Sequence, residues 1–253
     1  MVDKGIVLVT GGSRGIGAAI ARLAAARGYG VLINYNSNAT AAAAVCASIA
    51  AQGGRADMVA GDVSVEADVD AMFAAADRMG TLAGLVNNAG VVDVAARVED
   101  FDLKRLQRMF AINVFGTVLC AGRAVRRMSR RHGGQGGAIV NITSAAAKLG
   151  APGNYVDYAA AKGAIDSFTV GLALEVAGEG IRVNGVRPGI IDTDIHASGG
   201  DPQRAARMAA DLPMPRAGTA EEVAEAVLWL LSDAASYSTG TVIDVTGGRG
   251  IAP

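Results

Sequence analysis

A chain of 253 residues with 51% hydrophobic and 19% charged side chains can bury a substantial core, which excludes a disordered protein. A formal net charge of -1 supplies no general attraction to nucleic acid or an anionic membrane, and no run of about 18 uninterrupted apolar residues offers a membrane span. The opening MVDKGIVLVTGG lacks the basic and long apolar segments of a signal peptide, so a cytoplasmic location is expected, with Cys46 and Cys120 read as core residues rather than a disulfide.

The first apolar run, over residues 5–10, has the length and composition of a buried parallel strand. It leads through Thr10-Gly11-Gly12-Ser13-Arg14-Gly15-Ile16-Gly17 into a helical pattern over 15–27. Glycines let a backbone approach a phosphate with no Cβ in the way, and a helix N-terminus offsets phosphate charge. This position between strand and helix favours a dinucleotide loop over ordinary structural turns. The Gly-Lys-Ser/Thr ending of the ATP-binding loop is absent.

A second strand over 31–35 ends in Asn34-Tyr35-Asn36-Ser37. An NAD enzyme usually places a carboxylate there for the ribose 2′-hydroxyl. None is present, and Arg14 offers compensating charge for a 2′-phosphate, so NADP(H) is favoured over NAD(H). The plainer reading of Arg14 is a solvated loop charge. An alanine-rich helix over 40–52 follows, then a strand over 55–60 and Asp62-Val63. Asp62 is placed to accept from an adenine amino group or simply to pin a turn. A helix over 65–79 and a strand over 82–87 lead to Asn87-Asn88-Ala89-Gly90, whose small residues Ala89 and Gly90 let a nucleotide lie against the backbone while Asn88 pins the turn.

One long helix is expected over 102–131, carrying Asn113 in apolar surroundings. A buried amide there is costly unless hydrogen-bonded. It reads either as a kink satisfied by water or as a water-held proton relay to Lys162. The strand over 138–143 closes on Ser144, whose hydroxyl is placed to polarise a substrate oxygen. In the helix over 155–177, Tyr158 and Lys162 share a face. A nearby ammonium favours phenolate and would draw the phenol from about 10 toward neutrality. Such a pair also arises by chance. Tyr155 has no basic residue four places on and is assigned to packing or a pocket wall.

After a strand over 181–186 comes Pro188-Gly189-Ile190-Ile191-Asp192-Thr193, where backbone groups and the Thr193 hydroxyl are placed for a nicotinamide carboxamide. Residues 192–212 break the rhythm as a polar, mobile excursion, and His196 within it reads as a loop histidine or a substrate contact. A helix over 220–232 and a strand over 241–245 complete the chain. Seven strands alternating with six helices predict one domain over 1–253: an α/β, doubly wound parallel sheet with helices on both faces. His132 and His196 are too scattered for a metal site.

Together these motifs, with the closing Thr246-Gly247-Gly248, resemble the compact single-domain short-chain dehydrogenase/reductase family over essentially the whole chain. The resemblance implies a Rossmann-type sheet of order 3-2-1-4-5-6-7. It implies a catalytic tetrad of Asn113, Ser144, Tyr158 and Lys162, with Lys162 also holding the nicotinamide ribose. It further implies carbonyl–alcohol interconversion on a small-molecule substrate, in a homodimer or homotetramer joined across the helices over 102–131 and 155–177. Similarity to 3-oxoacyl-carrier-protein reductases and glucose dehydrogenases raises an acidic carrier protein as a partner for Arg123, Arg126, Arg127, Arg130 and Arg131. A solvated helix end that suits the dipole is the simpler account. The alternative from another class is a non-catalytic dinucleotide-binding regulator of the same fold.

Overall fold

The computed structural model describes residues 4–193, 200–201 and 203–250; His196, with its two readings, lies outside them. The strands are β1 (Ile6–Val9), β2 (Gly30–Tyr35), β3 (Arg55–Ala60), β4 (Leu82–Asn87), β5 (Gly137–Ile142), β6 (Ile181–Pro188) and β7 (Val242–Val245). They form one parallel sheet in the order β3-β2-β1-β4-β5-β6-β7, as expected. The helices are α1 (Gly15–Ala26), α2 (Ala39–Ala50), α3 (Glu66–Met79), α4 (Leu103–Phe110), α5 (Gly116–Met128), α6 (Ala146–Leu149), α7 (Val156–Val176), α8 (Arg204–Ala209) and α9 (Ala220–Leu231).

Successive strand residues face opposite sides, so each central strand feeds two cores. Val7, Val9, Val31 and Ile33 pack beneath α1, α2 and α9, whereas Ile6, Leu8, Leu32 and Leu85 pack beneath α3, α5 and α7. Burial on both faces is why β1 reads as an unbroken apolar run. Edge strand β3 has one open flank and mixes exposed with half-buried positions.

The long helix expected over 102–131 is interrupted. A π turn at Ala111–Phe115 separates α4 from α5, because the Asn113 side chain donates to the Met109 carbonyl at 2.9 Å and competes with the regular ladder. Leu103–Met128 is the one run among the described residues long and apolar enough to cross a membrane. Here it lies on the sheet, with Met109, Asn113, Cys120, Ala124 and Met128 buried.

Of its arginines, Arg126, Arg130 and Arg131 are exposed, as a solvated end would be, whereas Arg123 and Arg127 are paired. Arg123 bridges Asp70 and Glu66 of α3, and Arg127 pairs with Asp77 while lying 5.1 Å from the Phe73 ring centre. Arg131 approaches Glu179 at 4.0 Å. Parallel helices on one sheet face bring α3 carboxylates beside α5, a juxtaposition that spacing along one helix does not report. Within the 192–212 excursion, α8 docks through buried Ala205, and Leu212 joins it against Ile190.

Candidate active site

Two connected hollows lie along the carboxyl edge of the sheet, where open α/β folds bind ligands. One is a groove of about 430 Å³ lined by the glycine loop and by the turns after β2, β3 and β4. The other is a cleft of about 640 Å³ between the ends of β5 and β6, α6 and α8. Ile16, Asn88, Gly90 and Thr193 line both.

The groove collects most residues expected to hold a cofactor: Gly11, Ser13, Arg14, Gly15, Ile16, Gly17, Asn34, Tyr35, Asn36, Ser37, Asp62, Val63, Asn88, Ala89, Gly90 and Thr193. The start of α1 has no side-chain cap and no acidic residue in its first turn, so its N–H donors face the groove without an internal competitor. Gly11 and Gly15 have φ of +61° and +51°, which side chains rarely adopt. Gly17 is required differently. A Cβ there would meet the Asn88 amide nitrogen and the Gly11 carbonyl, both at 2.5 Å.

The groove walls are tied by buried polar groups. The Thr10 hydroxyl accepts from the Asn88 and Ala89 N–H groups, each at 3.0 Å, and Asn88 donates to the Thr10 and Gly11 carbonyls. Asn34, expected at the ribose, faces inward: it accepts from Gly11 N–H and donates to the Gly61 carbonyl at 2.9 Å. Its amide is spent on the loop, leaving Asn36, Ser37 and Arg14 as exposed groups at this rim. Asp62 takes the turn reading, accepting from Ser64 N–H and hydroxyl and from the Asn36 amide at 3.2 Å.

In the cleft, Ser144, Tyr158 and Lys162 converge with Pro188, Gly189 and Ile191. Ser144 ends the β5 turn, its Oγ accepting from Ala146 N–H at 3.1 Å. The Tyr158 phenol neighbours Ser144, whose hydroxyl favours its ionised form. Lys162 Nζ donates to the Ile142 carbonyl at 2.8 Å and lies 5.6 Å from the Tyr158 ring centre. Gly189 has no room for a side chain, since a Cβ would meet Thr246 Cα at 2.7 Å. Tyr155 is the expected wall residue, buried and lining the cleft.

One expectation needs correction. In the chain itself Tyr158 is not drawn toward neutrality: burial pushes its phenol up to about 12, with the Ser144 hydroxyl pulling the other way. Burial also lowers Lys162 to about 8, opposed by Asp166 one turn on. The desolvation of two close groups outweighs an ammonium committed to a backbone carbonyl. The Asn113 amide is hydrogen-bonded within the protein. It donates to the Val91 and Met109 carbonyls and accepts from Val91 N–H at 3.2 Å. It still adjoins the cleft: a Cβ on Gly90 would lie 2.8 Å from Asn113 Oδ1 and 3.5 Å from Lys162 Nζ.

Several residues at this edge escaped the sequence reading. Asp157, immediately before Tyr158, pairs with Arg105 of α4. A carboxylate in the first turn of an otherwise apolar helix was the available signal. Arg207 and Arg249 line the cleft, and Asp166 pairs with Arg187 of β6. Nothing local in the sequence points to these. Among the described residues no cluster of His, Cys, Asp or Glu is arranged to hold a metal.

A family model described as Enoyl-(Acyl carrier protein) reductase matches residues 11–249. An uncharacterized oxidoreductase of Escherichia coli, YgfF, is 54% identical over 96% of this chain and 99% of its own. The 3beta-hydroxysteroid dehydrogenase 1 of Eggerthella lenta is 39% identical over 98% and 94%. A short chain dehydrogenase of Burkholderia cenocepacia, solved in complex with NADP, superposes with a TM-score of 0.88 at 33% identity, covering 98% of both chains. With this sheet order, this pair of connected hollows and these matches, the chain belongs to the short-chain dehydrogenase/reductase family of oxidoreductases.

Proposed function

We propose that this protein reduces a carbonyl to an alcohol, reversibly, with NADP(H), using Tyr158 as the general acid and base. The observation that carries this reading is the meeting of Ser144, Tyr158 and Lys162 in a cleft that shares walls with the glycine-loop groove.

The residues suit the cofactor. The uncapped α1 N-terminus and the Gly11–Gly17 loop would hold its phosphates; Ala89, Gly90 and Thr193 would border the ring side; and Pro188, Gly189 and Ile191 would back the carboxamide. Asn36, Ser37 and exposed Arg14 at the rim of β2 support a 2′-phosphate, and a relative of known structure binds NADP. When bound, the nicotinamide would supply the hydride chemistry at the substrate's carbonyl carbon.

Ser144 and Tyr158 bind the substrate oxygen. With a pKa of about 12 the phenol is protonated at neutral pH, so it is ready to pass its proton to the developing alkoxide. Lys162, at about 8, remains an ammonium there and stabilises the phenolate left behind. Asn113 acts as a positioning residue, bracing the Val91 turn and Gly90 against Lys162. Exposed Phe115 in the π turn, Val118 on α5, and Val170 and Leu174 on α7 support assembly as a homodimer or homotetramer.

Replacing Tyr158 by Phe tests the reading: NADPH consumption with carbonyl substrates should vanish while NADPH still raises Tm. Undiminished turnover would remove Tyr158 from the mechanism. Binding of NADPH without oxidation by any carbonyl would favour the regulatory alternative.

A further inference from the structure

Asp166 is a carboxylate that the proposed chemistry leaves without a task. It lies on α7 one helical turn beyond Lys162, a spacing that sets Cβ atoms about 5–6 Å apart on one face. Its side chain is only 16% exposed. Oδ2 accepts from Arg187 Nε at 2.8 Å, whereas Oδ1 is buried and accepts no hydrogen bond among the described residues. A buried carboxylate oxygen without a donor carries a desolvation cost, so its presence here calls for an explanation.

Among the described groups around Lys162, Asp166 is the one negative charge that acts on it. On α7 its neighbours are Tyr158 and Asp166, while β5 presents the Ile142 carbonyl, which accepts from Nζ at 2.8 Å, and the following turn presents Ser144. Gly90 and Asn113 of the π turn adjoin it and are neutral. Asp157 lies five places before Lys162, on another face of α7, and is held by Arg105 of α4. Asp166 therefore favours the ammonium against the burial that disfavours it.

Arg187 limits how much of that charge reaches the lysine. It stands on β6 immediately before Pro188 and Gly189 of the cleft, and its guanidinium is shared. Nε donates to Asp166 and Nη1 to Asp244 of β7 at 3.2 Å, and Asp244 also pairs with Lys148 of α6. One guanidinium divided between two carboxylates neutralises Asp166 only in part.

Resting on the proton transfer proposed above, we infer that Asp166 is a positioning residue that acts through Lys162, holding it as the ammonium, and that Arg187 moderates this effect by sharing the carboxylate.

The test sets the wild type beside Asp166→Asn and Arg187→Gln, each first checked for a retained Tm shift with NADPH. The pH profile of kcat for NADPH consumption is read together with an NMR titration of Lys162 in protein carrying isotope-labelled lysine. The chain has four lysines, so Lys162→Met assigns the signal. In the wild type Lys162 titrates at about 8. Removing the Asp166 charge should lower that midpoint by roughly one unit, the small end for a nearby opposite charge, and draw the alkaline limb of kcat down with it. Arg187→Gln exposes the full Asp166 charge and should move both upward, by less. Near pH 6 Lys162 is an ammonium in every variant, so kcat there should stay close to wild type. A purely structural ion pair would instead lower kcat at every pH in both variants. Midpoints that stay put, or that move in the same direction in both variants, overturn the inference while the Tyr158 chemistry stands. Should the midpoints split as expected with the kcat profile unmoved, Lys162 has no part in turnover, and the inference falls together with that part of the proposed chemistry. Should Arg187→Gln not fold, the direction of the Asp166→Asn shift decides alone.

Discussion

The Arg105 guanidinium grips the Asp157 carboxylate at two points, 2.7 and 3.3 Å, where the Asp157 side chain is wholly shielded from solvent. Arg105 also donates to the Val94 carbonyl at 2.7 Å and lies 4.2 Å from the Phe101 ring centre. One side chain thus joins α4, the loop after β4 and the first turn of α7, one residue before Tyr158. Asp157 further suits the positive end of the α7 dipole.

Removing one partner leaves a buried charge, whereas removing both does not. Arg105→Leu should cost about 3–5 kcal/mol in urea unfolding, and Arg105→Leu with Asp157→Leu should cost less than the single change. The single variant should also lower kcat, because the Tyr158 turn loses its brace. A single variant as stable and active as wild type would show that the pair positions nothing.

Lys162 makes stability depend on pH. Its pKa falls from 10.5 to about 8 on folding, so between those values the unfolded chain holds a proton that the folded chain has released. The cost, roughly 3 kcal/mol, is full below pH 8 and fades as pH rises through that window. Lys162→Met should therefore abolish turnover yet raise stability at pH 7, less the lost Ile142 hydrogen bond. The gain should shrink toward pH 10. Denaturant midpoints of both proteins across this range check the sign, and a gain that grows with pH would contradict it.

Gly17→Ala places a methyl 2.5 Å from Asn88 and the Gly11 carbonyl, and neither can yield without opening the loop. Overpacking of this kind typically costs about 1–3 kcal/mol. NADPH binding, followed by fluorescence, should weaken more than tenfold, since loop and cofactor edge move together (roughly 1.4 kcal/mol per decade).

Cofactor choice rests on the exposed rim after β2. Ser37→Asp puts a carboxylate where a 2′-phosphate would lie, so it should reverse the preference between NADP+ and NAD+ in thermal-shift titrations. A wild type stabilised more by NAD+ would overturn the NADP reading outright.

Much of this was legible along the chain. Strand and helix periodicities, glycine spacing and Tyr158-x3-Lys162 are local, and right-handed crossovers leave few ways to assemble alternating units. Most of the expected groove residues do line one hollow. The inward bonds of Asn34 to Gly11 and Gly61 could not be read along the chain, because an alternating strand carries its side chain to either face. The π turn was invisible because it arises when one amide captures a carbonyl, a contest that apolar periodicity does not register.

What the sequence determined by itself was the order of elements and the edge at which chemistry gathers, since both follow from short-range pattern and chain connectivity. Charge state and charge pairing were decided only by the fold. Tyr158 and Lys162 acquire their shifts from burial, and Arg105, Arg123, Arg127 and Arg187 find carboxylates 21 to 57 residues away. Desolvation and Coulomb energy depend on distance through space, which no spacing along the chain encodes.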